Sequence, residues 1–308
     1  MPTIDEGVRR RLTLRFGSAV NAWFDKLPSA LDGLSRQWQL ALGQPFSRGS
    51  VAAVYRCQRS NGQPAVLKIG PDHARMAVEA AVLQIWNSPH SPAVLAHDAE
   101  LGALLLEAIE PGTPLVDTTT YPGLETIAAL LRALHAFGVR QGTFPGVDQR
   151  VRYLFESSTK LYQQDPELAA VVSRALYERG WQLAARLAEP SSQPVLLHGD
   201  LTPSNILDGG ARGLVAIDPA PCIGDAGFDA IDLILWQADD VATIDARIDT
   251  LAGLAALDAQ RVHDWCVAFA AMSALELASE PNHSPSRREA FLELASRASP
   301  RSRVARPS

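Results

Sequence analysis

Three polar residues with a fixed spacing could together activate a hydroxyl group. They are His198, Asp200 and Asn205, arranged as His-x-Asp-x₄-Asn between the apolar runs 195–197 and 206–207. A carboxylate at Asp200 could orient an attacking hydroxyl and accept its proton. The amide oxygen of Asn205 could bind a metal ion that bridges phosphate oxygens. The spacing therefore predicts a phosphoryl-transfer site, with Asp200 and His198 as its catalytic residues.

Three further charged residues fit the same chemistry. Asp218 ends the apolar stretch 215–217, where a carboxylate is costly unless a cation or hydrogen bonds meet it, so we expect it to hold Mg²⁺ together with Asn205. Lys68 lies at the end of the apolar stretch 64–69 and suits the phosphates of a nucleotide. Glu79 follows eleven residues later and is the natural ion-pair partner that would hold Lys68 in place.

Hydrophobic periodicity predicts which elements position these residues. Before residue 110 it indicates two N-terminal helices, a helix over 72–86 and strands at 44–50, 51–59, 64–69, 93–97 and 103–109. Beyond residue 111 it indicates mostly helix, interrupted by one strand pair formed by 195–198 and 214–217. The predicted helices of this second part cover 127–137, 151–163, 167–188, 228–237, 244–256, 258–279 and 287–298.

These elements predict an α+β fold of two lobes. Residues 1–107 would form a small β-rich lobe with N-terminal helices and a five-stranded sheet. Residues 108–298 would form a larger, mostly helical lobe that carries the catalytic loop. Residues 299–308 are rich in Arg and Pro without an apolar period, which predicts a disordered basic tail.

Charge and composition narrow the range of partners. The chain of 308 residues has a net charge of −6, and residues 108–286 carry 23 acidic against 11 basic side chains. The net charge argues against nucleic acid as a partner, and the acidic excess is a feature that any proposed function must explain. No apolar stretch approaches the ~20 residues that cross a bilayer, and three scattered cysteines give no disulfide framework. We expect a cytoplasmic protein with no membrane contact and no obligate protein partner.

The motifs resemble those of a known family. The segment His198-Gly-Asp-Leu-Thr-Pro-Ser-Asn205 is similar to the catalytic loop of the aminoglycoside phosphotransferases, which have a protein-kinase-like fold. The segment Ala216-Ile-Asp-Pro-Ala-Pro-Cys-Ile-Gly-Asp-Ala-Gly-Phe-Asp229 resembles the signature of the streptomycin 6-phosphotransferases and hydroxyurea kinases. The similarity runs from about residue 12 to residue 280.

The resemblance implies ATP and Mg²⁺ as cofactors. Asp200 would be the catalytic carboxylate, and Asn205 and Asp218 would hold the metal. The nucleotide loop 46–51 has one glycine, so its phosphate contacts would come from Ser47 or Ser50 and from backbone N–H groups. The other residues implied to bind the nucleotide are Lys68, Glu79, Glu107, Ile109, Leu207 and Ile217.

The resemblance also implies a small-molecule acceptor, and streptomycin phosphorylated at its 6-position is the first expectation. Acidic side chains of the helical lobe would attract this cation, or would simply solvate their helices; the candidates are Asp225, Asp232, Asp239, Asp240, Glu276 and Glu280. Asp225, like Asp229, could instead brace the catalytic loop. The alternatives are a metabolic kinase with a sugar, amino-alcohol or hydroxyurea-like substrate, and, more remotely, an inactive binding module or a nucleic-acid contact through the basic tail.

Overall fold

The chain folds as two units, one rich in β-structure and one mostly helical. The computed structural model describes residues 4–137, 144–280 and 284–297. The first unit comprises Met1–Thr113 and Leu207–Asp218, and the second comprises Pro114–Ile206 and Pro219–Ser308. The predicted α+β class is therefore confirmed. The predicted tail at 299–308 lies outside the described residues.

The β-rich unit is built on an antiparallel sheet. Among its described residues, five strands lie in the order β1-β2-β3-β5-β4. The helices are α1 (Glu6–Phe16), α2 (Asn21–Gln37) and α3 (His73–Trp86), and the strands are β1 (Leu40–Pro45), β2 (Ala53–Arg59), β3 (Pro64–Ile69), β4 (Val94–Asp98) and β5 (Ala103–Glu107). The prediction placed the first strand at 44–50 and is wrong there, because residues 46–52 form the loop between β1 and β2.

Strand β3 separates two environments. Leu67 and Ile69 are buried on the face that packs against the leucines of α2, in one cluster with Tyr55. Successive side chains of a strand point to opposite faces, so Lys68 lies on the other face, where α3 supplies Glu79. The strand alternation thus positions the predicted lysine toward the predicted helix.

The segment 207–218 belongs with the β-rich unit although it follows the helical part in sequence. It contains the paired strands β7 (Ile206–Asp208) and β8 (Leu214–Ala216). The N–H of Asp208 donates to the carbonyl oxygen of Thr113 at 2.8 Å, and the N–H of Ala216 donates to that of His90 at 2.9 Å. The sequence predicted one domain boundary near residue 107. It did not reveal that residues 207–218 belong with the β-rich unit, because these hydrogen bonds join residues far apart in sequence.

The helical unit is organised around one buried helix. Its helices are α4 (Leu124–His135), α5 (Val147–Thr159), α6 (Leu161–Gln164), α7 (Leu168–Val171), α8 (Arg174–Leu187), α9 (Ile231–Leu235), α10 (Val241–Ala255), α11 (Ala259–Ala278) and α12 (Pro285–Ser296). Helix α11 buries most of its length. Trp265 and Phe269 of α11 pack edge-on against Phe228, which joins the central helix to the segment beside the catalytic loop.

The strand pairing in this unit differs from the prediction. Strand β6 (Val195–Leu197) pairs antiparallel with β9 (Cys222–Gly224), so the predicted pairing of 195–198 with 214–217 is wrong. Strands of three residues carry too little periodicity to reveal their partners. Within the described residues, no helix is both long enough and apolar enough to cross a membrane.

Candidate active site

The catalytic loop leaves β6 through a turn that requires glycine. Gly199 has φ +75°, and a Cβ there would lie 2.1 Å from the carbonyl oxygen of Ala220. The N–H of Ala220 in turn donates to the carbonyl oxygen of His198 at 2.9 Å. The backbone therefore passes too close for any side chain at position 199, and this explains the glycine of the His-Gly-Asp motif.

A buried carboxylate braces this turn. Asp229 accepts hydrogen bonds from the N–H groups of His198 (2.8 Å) and Gly199 (2.9 Å) and contacts Nε2 of His135 at 2.9 Å. Burial acts to raise the pKa of Asp229, but the hydrogen bond and charge of His135 outweigh it and hold the pKa below its usual range. The carboxylate is thus kept ionised and available to both N–H groups.

The ring of His198 lies inside the loop. The residue is fully buried, and its Nδ1 accepts from the N–H of Asp200 at 3.3 Å. This geometry suits a residue that shapes the loop. The buried ring fits a positioning role, whereas the accessible carboxylate of Asp200 fits proton transfer.

Both carboxylate oxygens of Asp200 are held by neighbouring side chains. Oδ1 accepts from Nη2 of Arg150 at 2.6 Å, and Oδ2 accepts from Nδ2 of Asn205 at 3.1 Å. A carboxylate has about four acceptor sites, so these two bonds leave acceptor capacity. The Asp200 side chain is 32% exposed, which allows an incoming hydroxyl to reach it.

Arg150 is a site residue that the sequence reasoning missed. Its Nε also donates to the carbonyl oxygen of Gly199 at 2.6 Å, so one guanidinium holds the backbone and the side chain of the loop together. Helix α5 reaches this position because Gly224 has no side chain; a Cβ there would lie 2.4 Å from Val147. The available signal was helical phase, since Arg150 lies beside the buried positions Val147 and Val151 of α5.

Asn205 is held by the same loop that it serves. Its Nδ2 donates to the backbone oxygen of Asp200 at 2.9 Å as well as to Oδ2. Because the amide nitrogen faces Asp200, the amide oxygen is the atom directed elsewhere. An amide oxygen is a suitable Mg²⁺ ligand, so the orientation of Asn205 fits the metal role predicted for it.

A buried ion-pair cluster lies in the β-rich unit. Nζ of Lys68 contacts Oε1 and Oε2 of Glu79 at 2.7 and 2.6 Å, and Oδ1 of Asp218 at 2.6 Å. Lys68 and Glu79 are each 2% exposed. Burial acts to lower the pKa of Lys68, but the charges of Asp218 and Glu79 prevail and raise it above its usual range. Lys68 is thus held as a cation at a fixed position.

Asp218 has an unusual backbone conformation. Its φ is +55°, which aspartate tolerates better than most residues. Its side chain is 34% exposed although Lys68 holds Oδ1. An accessible carboxylate at the end of a buried strand has the donor chemistry that Mg²⁺ prefers, so the residue fits the predicted metal role.

The first unit contains every residue predicted to contact the nucleotide. Ser47 and Ser50 are exposed in the loop between β1 and β2. The remaining members besides the ion-pair cluster are Glu107, Ile109, Leu207 and Ile217. The Glu107 carboxylate is occupied by Nη1 of Arg212 at 2.6 Å and the N–H of Ala93 at 3.2 Å. An adenine contact of Glu107 would therefore fall to its backbone.

Two predicted substrate residues have structural partners. The buried Asp225 accepts from the N–H of Gly227 at 2.9 Å and from Nε1 of Trp265 at 3.0 Å, and it also contacts Arg261. Asp225 therefore has a structural role but does not brace the catalytic loop: it caps the helical turn Ala226–Ala230, and Asp229 is the carboxylate that holds the loop. Asp239 is exposed and accepts from Oγ of Ser284 at 3.1 Å, with the Arg287 guanidinium at 3.3 Å.

Asp232 and Glu276 have a different environment. Both are accessible to solvent, yet the surrounding protein desolvates their carboxylates. This desolvation, reinforced by the negative charges of Asp200 and Glu276, raises the pKa of Asp232 to about 7. Desolvation together with the charge of Glu280 raises the pKa of Glu276 to about 7. The charges of Asp200 and Glu276 both act on Asp232, so these carboxylates lie near one another, and Asp232 and Glu276 form an acidic pair beside Asp200.

Comparison with known proteins assigns the family. The sequence model of the aminoglycoside/hydroxyurea antibiotic resistance kinases matches residues 37–280. The chain is 30% identical over 261 residues to a hydroxyurea phosphotransferase of Kitasatospora aureofaciens, covering 82% of this chain and 74% of that protein. It is 27% identical over 263 residues to a streptomycin 6-kinase of Streptomyces glaucescens, covering 81% and 82%.

A solved structure has a fold similar to that of this chain. The choline kinase of Streptococcus pneumoniae superimposes with a TM-score of 0.57 at 14% identity, covering 88% of this chain and 99% of that one. At this identity the likeness concerns the fold alone. Because the family match spans well over half of the sequence, the chain belongs to the aminoglycoside/hydroxyurea antibiotic resistance kinases.

Proposed function

We propose that the protein is an ATP-dependent O-phosphotransferase that acts in the cytoplasm on a hydroxyl of a cationic aminoglycoside. Asp200 is the observation behind the proposal, since it is accessible, is held at both oxygens by Arg150 and Asn205, and lies near the acidic pair of Asp232 and Glu276. Family membership supports the reaction class, while the acidic pair supports the charge of the acceptor.

Asp200 performs the proton transfer in this proposal. The acceptor hydroxyl donates a hydrogen bond to the Asp200 carboxylate, which orients its oxygen for attack. As the new bond forms between that oxygen and the γ-phosphorus of ATP, the bond from the γ-phosphorus to the β–γ bridging oxygen breaks. The hydroxyl proton passes to Asp200, and ADP leaves with the bridging oxygen.

Lys68 binds the nucleotide phosphates as a fixed cation. Glu79 keeps it in position through two short contacts, so little side-chain entropy remains to be lost when the nucleotide binds. Asn205 and Asp218 would hold Mg²⁺, which when bound neutralises charge on the phosphates.

Asp232 and Glu276 would recognise the cationic acceptor. Guanidinium or ammonium groups favour ionised carboxylates, and a bound cation would oppose the desolvation and negative charge that raise the pKa of both residues. Streptomycin is the first candidate because relatives named streptomycin 6-kinases cover most of this chain.

A second candidate substrate is a small neutral hydroxyl compound related to hydroxyurea. The observation in its favour is the 30% identity to a hydroxyurea phosphotransferase. This candidate keeps Asp200 and Lys68 in the same roles. It differs in requiring no cation-binding carboxylates, so the acidic pair would be dispensable for its turnover.

A steady-state screen tests the proposal. Purified protein is incubated with Mg²⁺-ATP and streptomycin, other aminoglycosides, hydroxyurea or a neutral sugar, and ADP release is measured by a coupled assay. Mass spectrometry of the product locates the added phosphate. We expect turnover with a cationic aminoglycoside at a KM that rises with salt concentration. Turnover with hydroxyurea alone would support the second candidate, and no turnover with any acceptor would reject both.

A further inference from the structure

An arginine of the N-terminal helix contacts the loop predicted to bind the nucleotide phosphates. Arg11 lies on α1, and its Nε donates to the carbonyl oxygen of Gly49 at 2.8 Å while Nη2 donates to that of Ser47 at 2.5 Å. Both acceptors belong to the loop between β1 and β2. Helix α1 also lies outside the residues 37–280 by which the family was assigned.

These two bonds orient two peptide planes of the loop. The carbonyl of one residue and the N–H of the next lie in one planar trans peptide and point in opposite directions. Because the carbonyl of Gly49 points toward Arg11, the N–H of Ser50 points away from it. The Ser47–Arg48 peptide is oriented by the same guanidinium.

The rest of the loop between β1 and β2 has one glycine and one buried anchor. It has a single glycine, Gly49, with φ +128°, and a Cβ there would lie 3.0 Å from the carbonyl oxygen of Ala52. The loop is anchored at its far end, where Val51, Ala52 and Met76 form a small buried cluster. Arg11 supplies the second anchor, on the carbonyl oxygens that the cluster does not reach.

We propose that Arg11 is a positioning residue for nucleotide phosphates. By holding the carbonyl oxygens of Ser47 and Gly49, it orients the Ser50 N–H and the loop hydroxyls for an anion, and it adds a positive charge next to the loop. It acts through the loop and does not itself touch the nucleotide. The inference rests on the proposed use of ATP and extends it to a residue outside the matched segment.

Binding measurements with two ligands test this role. The affinities of wild-type protein, Arg11→Ala and Arg11→Lys for Mg²⁺-ATP and for adenosine are measured by calorimetry. We expect Arg11→Ala to weaken ATP binding about tenfold or more, the usual effect of losing hydrogen bonds from a charged donor, with adenosine affinity unchanged. Arg11→Lys should lie between, because a single ammonium cannot hold both carbonyl oxygens in the geometry of the planar guanidinium.

Arg10→Ala is the matched control, since Arg10 is an exposed arginine of the same helix; ATP binding should stay at the wild-type value. Urea unfolding of each variant shows whether the fold is intact. Equal losses of ATP and adenosine affinity in Arg11→Ala, or no loss of either, would overturn the inference while leaving the proposed function standing. Failure of the wild-type protein to bind ATP would reject the proposed function itself, and this inference with it.

Discussion

Nη2 of Arg150 lies 2.6 Å from Oδ1 of Asp200, while Nε of the same guanidinium holds the carbonyl oxygen of Gly199 at 2.6 Å. A proton acceptor for a hydroxyl needs a defined direction as well as an available lone pair. Arg150 supplies that direction, because it couples the side chain of Asp200 to the backbone that precedes it.

Replacing Asp200 should abolish proton transfer and spare the nucleotide. We expect Asp200→Ala to lower kcat by about 10²- to 10⁴-fold, the usual range for a positioned acid or base. The affinity for ATP should change little, because the nucleotide residues belong to the other unit. Rapid-quench kinetics and ATP titration measure the two quantities. A loss of ATP affinity as large as the loss of kcat would contradict the role of Asp200 as the base.

Replacing Arg150 should slow the reaction without unfolding the protein. We expect Arg150→Ala to lower kcat by about 10- to 100-fold, since two hydrogen bonds from a charged donor are lost. The KM for ATP should not change. Guanidinium chloride at low millimolar concentration should restore part of the rate, whereas sodium chloride should not.

Arg152→Ala provides the matched control for Arg150, because Arg152 is an exposed arginine of α5 and its removal should leave kcat unchanged. Arg150→Lys should recover less than guanidinium does, because lysine has one donor nitrogen. Rate loss that follows the fraction unfolded in urea, with no guanidinium rescue, would mean that Arg150 only stabilises the helical unit.

Removing Lys68 from its ion pair with Glu79 should lower the stability of the protein as well as its rate of turnover. Lys68→Ala leaves a carboxylate that is 2% exposed without its cation. Breaking one partner of a buried pair destabilises by about 3–5 kcal/mol, which urea unfolding measures. The double variant Lys68→Met/Glu79→Leu should regain most of that stability and none of the activity. A double variant as unstable as the single one would show that the cluster contributes through packing alone.

The pH dependence of acceptor binding should follow Asp232 and Glu276. Both have a pKa raised to about 7, so they are largely neutral at pH 6 and largely ionised at pH 8. The KM for a cationic aminoglycoside should therefore fall as the pH rises through this range. The KM for hydroxyurea should not follow the same profile. Asp232→Asn should flatten the dependence, and Asp249→Asn, on an exposed residue of α10, should leave it intact.

The raised pKa of Asp232 also predicts how the stability of the protein without substrate depends on pH. A carboxyl whose pKa is higher in the folded than in the unfolded state stabilises the fold below its unfolded pKa, and this contribution is lost as the pH rises toward the folded pKa. Asp232→Asn should therefore become stabilising relative to wild type between pH 4 and pH 8, as measured by urea unfolding. A stability difference independent of pH across that window would contradict the raised pKa of Asp232.

The contact between Lys68 and Glu79 could be predicted from the sequence, but the contacts of Arg150 and Arg11 could not. The pairing of Lys68 with Glu79 followed from strand and helix periodicity, and the structure brings them into contact. Arg150 and Arg11 act over separations of 50 and 38 residues, and helical phase alone does not identify the partner of either side chain. The same limit explains the misassigned partner of strand β6, since a three-residue strand does not specify its neighbour.

Charge composition predicted an acidic helical region, but it did not indicate which carboxylates are buried in structural contacts and which have a raised pKa. Asp225 and Asp232 both follow the Ile-Asp-Pro motif and differ only in environment. Asp225 is buried and bonded to Trp265 and Gly227, whereas Asp232 is accessible and desolvated. Only tertiary structure distinguishes the structural aspartate from the proposed recognition group, because both belong to one short stretch of sequence.

The close packing of Gly224 against Val147 makes a chemically inert position a determinant of rate. A methyl group at residue 224 would sit 2.4 Å from the Val147 side chain, so even alanine would push α5 outward and carry Arg150 away from the carboxylate that it aligns. Turnover could thus be tuned through side-chain volume at a buried site with no polar atom in its side chain. Substitution of this glycine would alter catalysis while Asp200, Asn205 and Asp218 stayed unchanged.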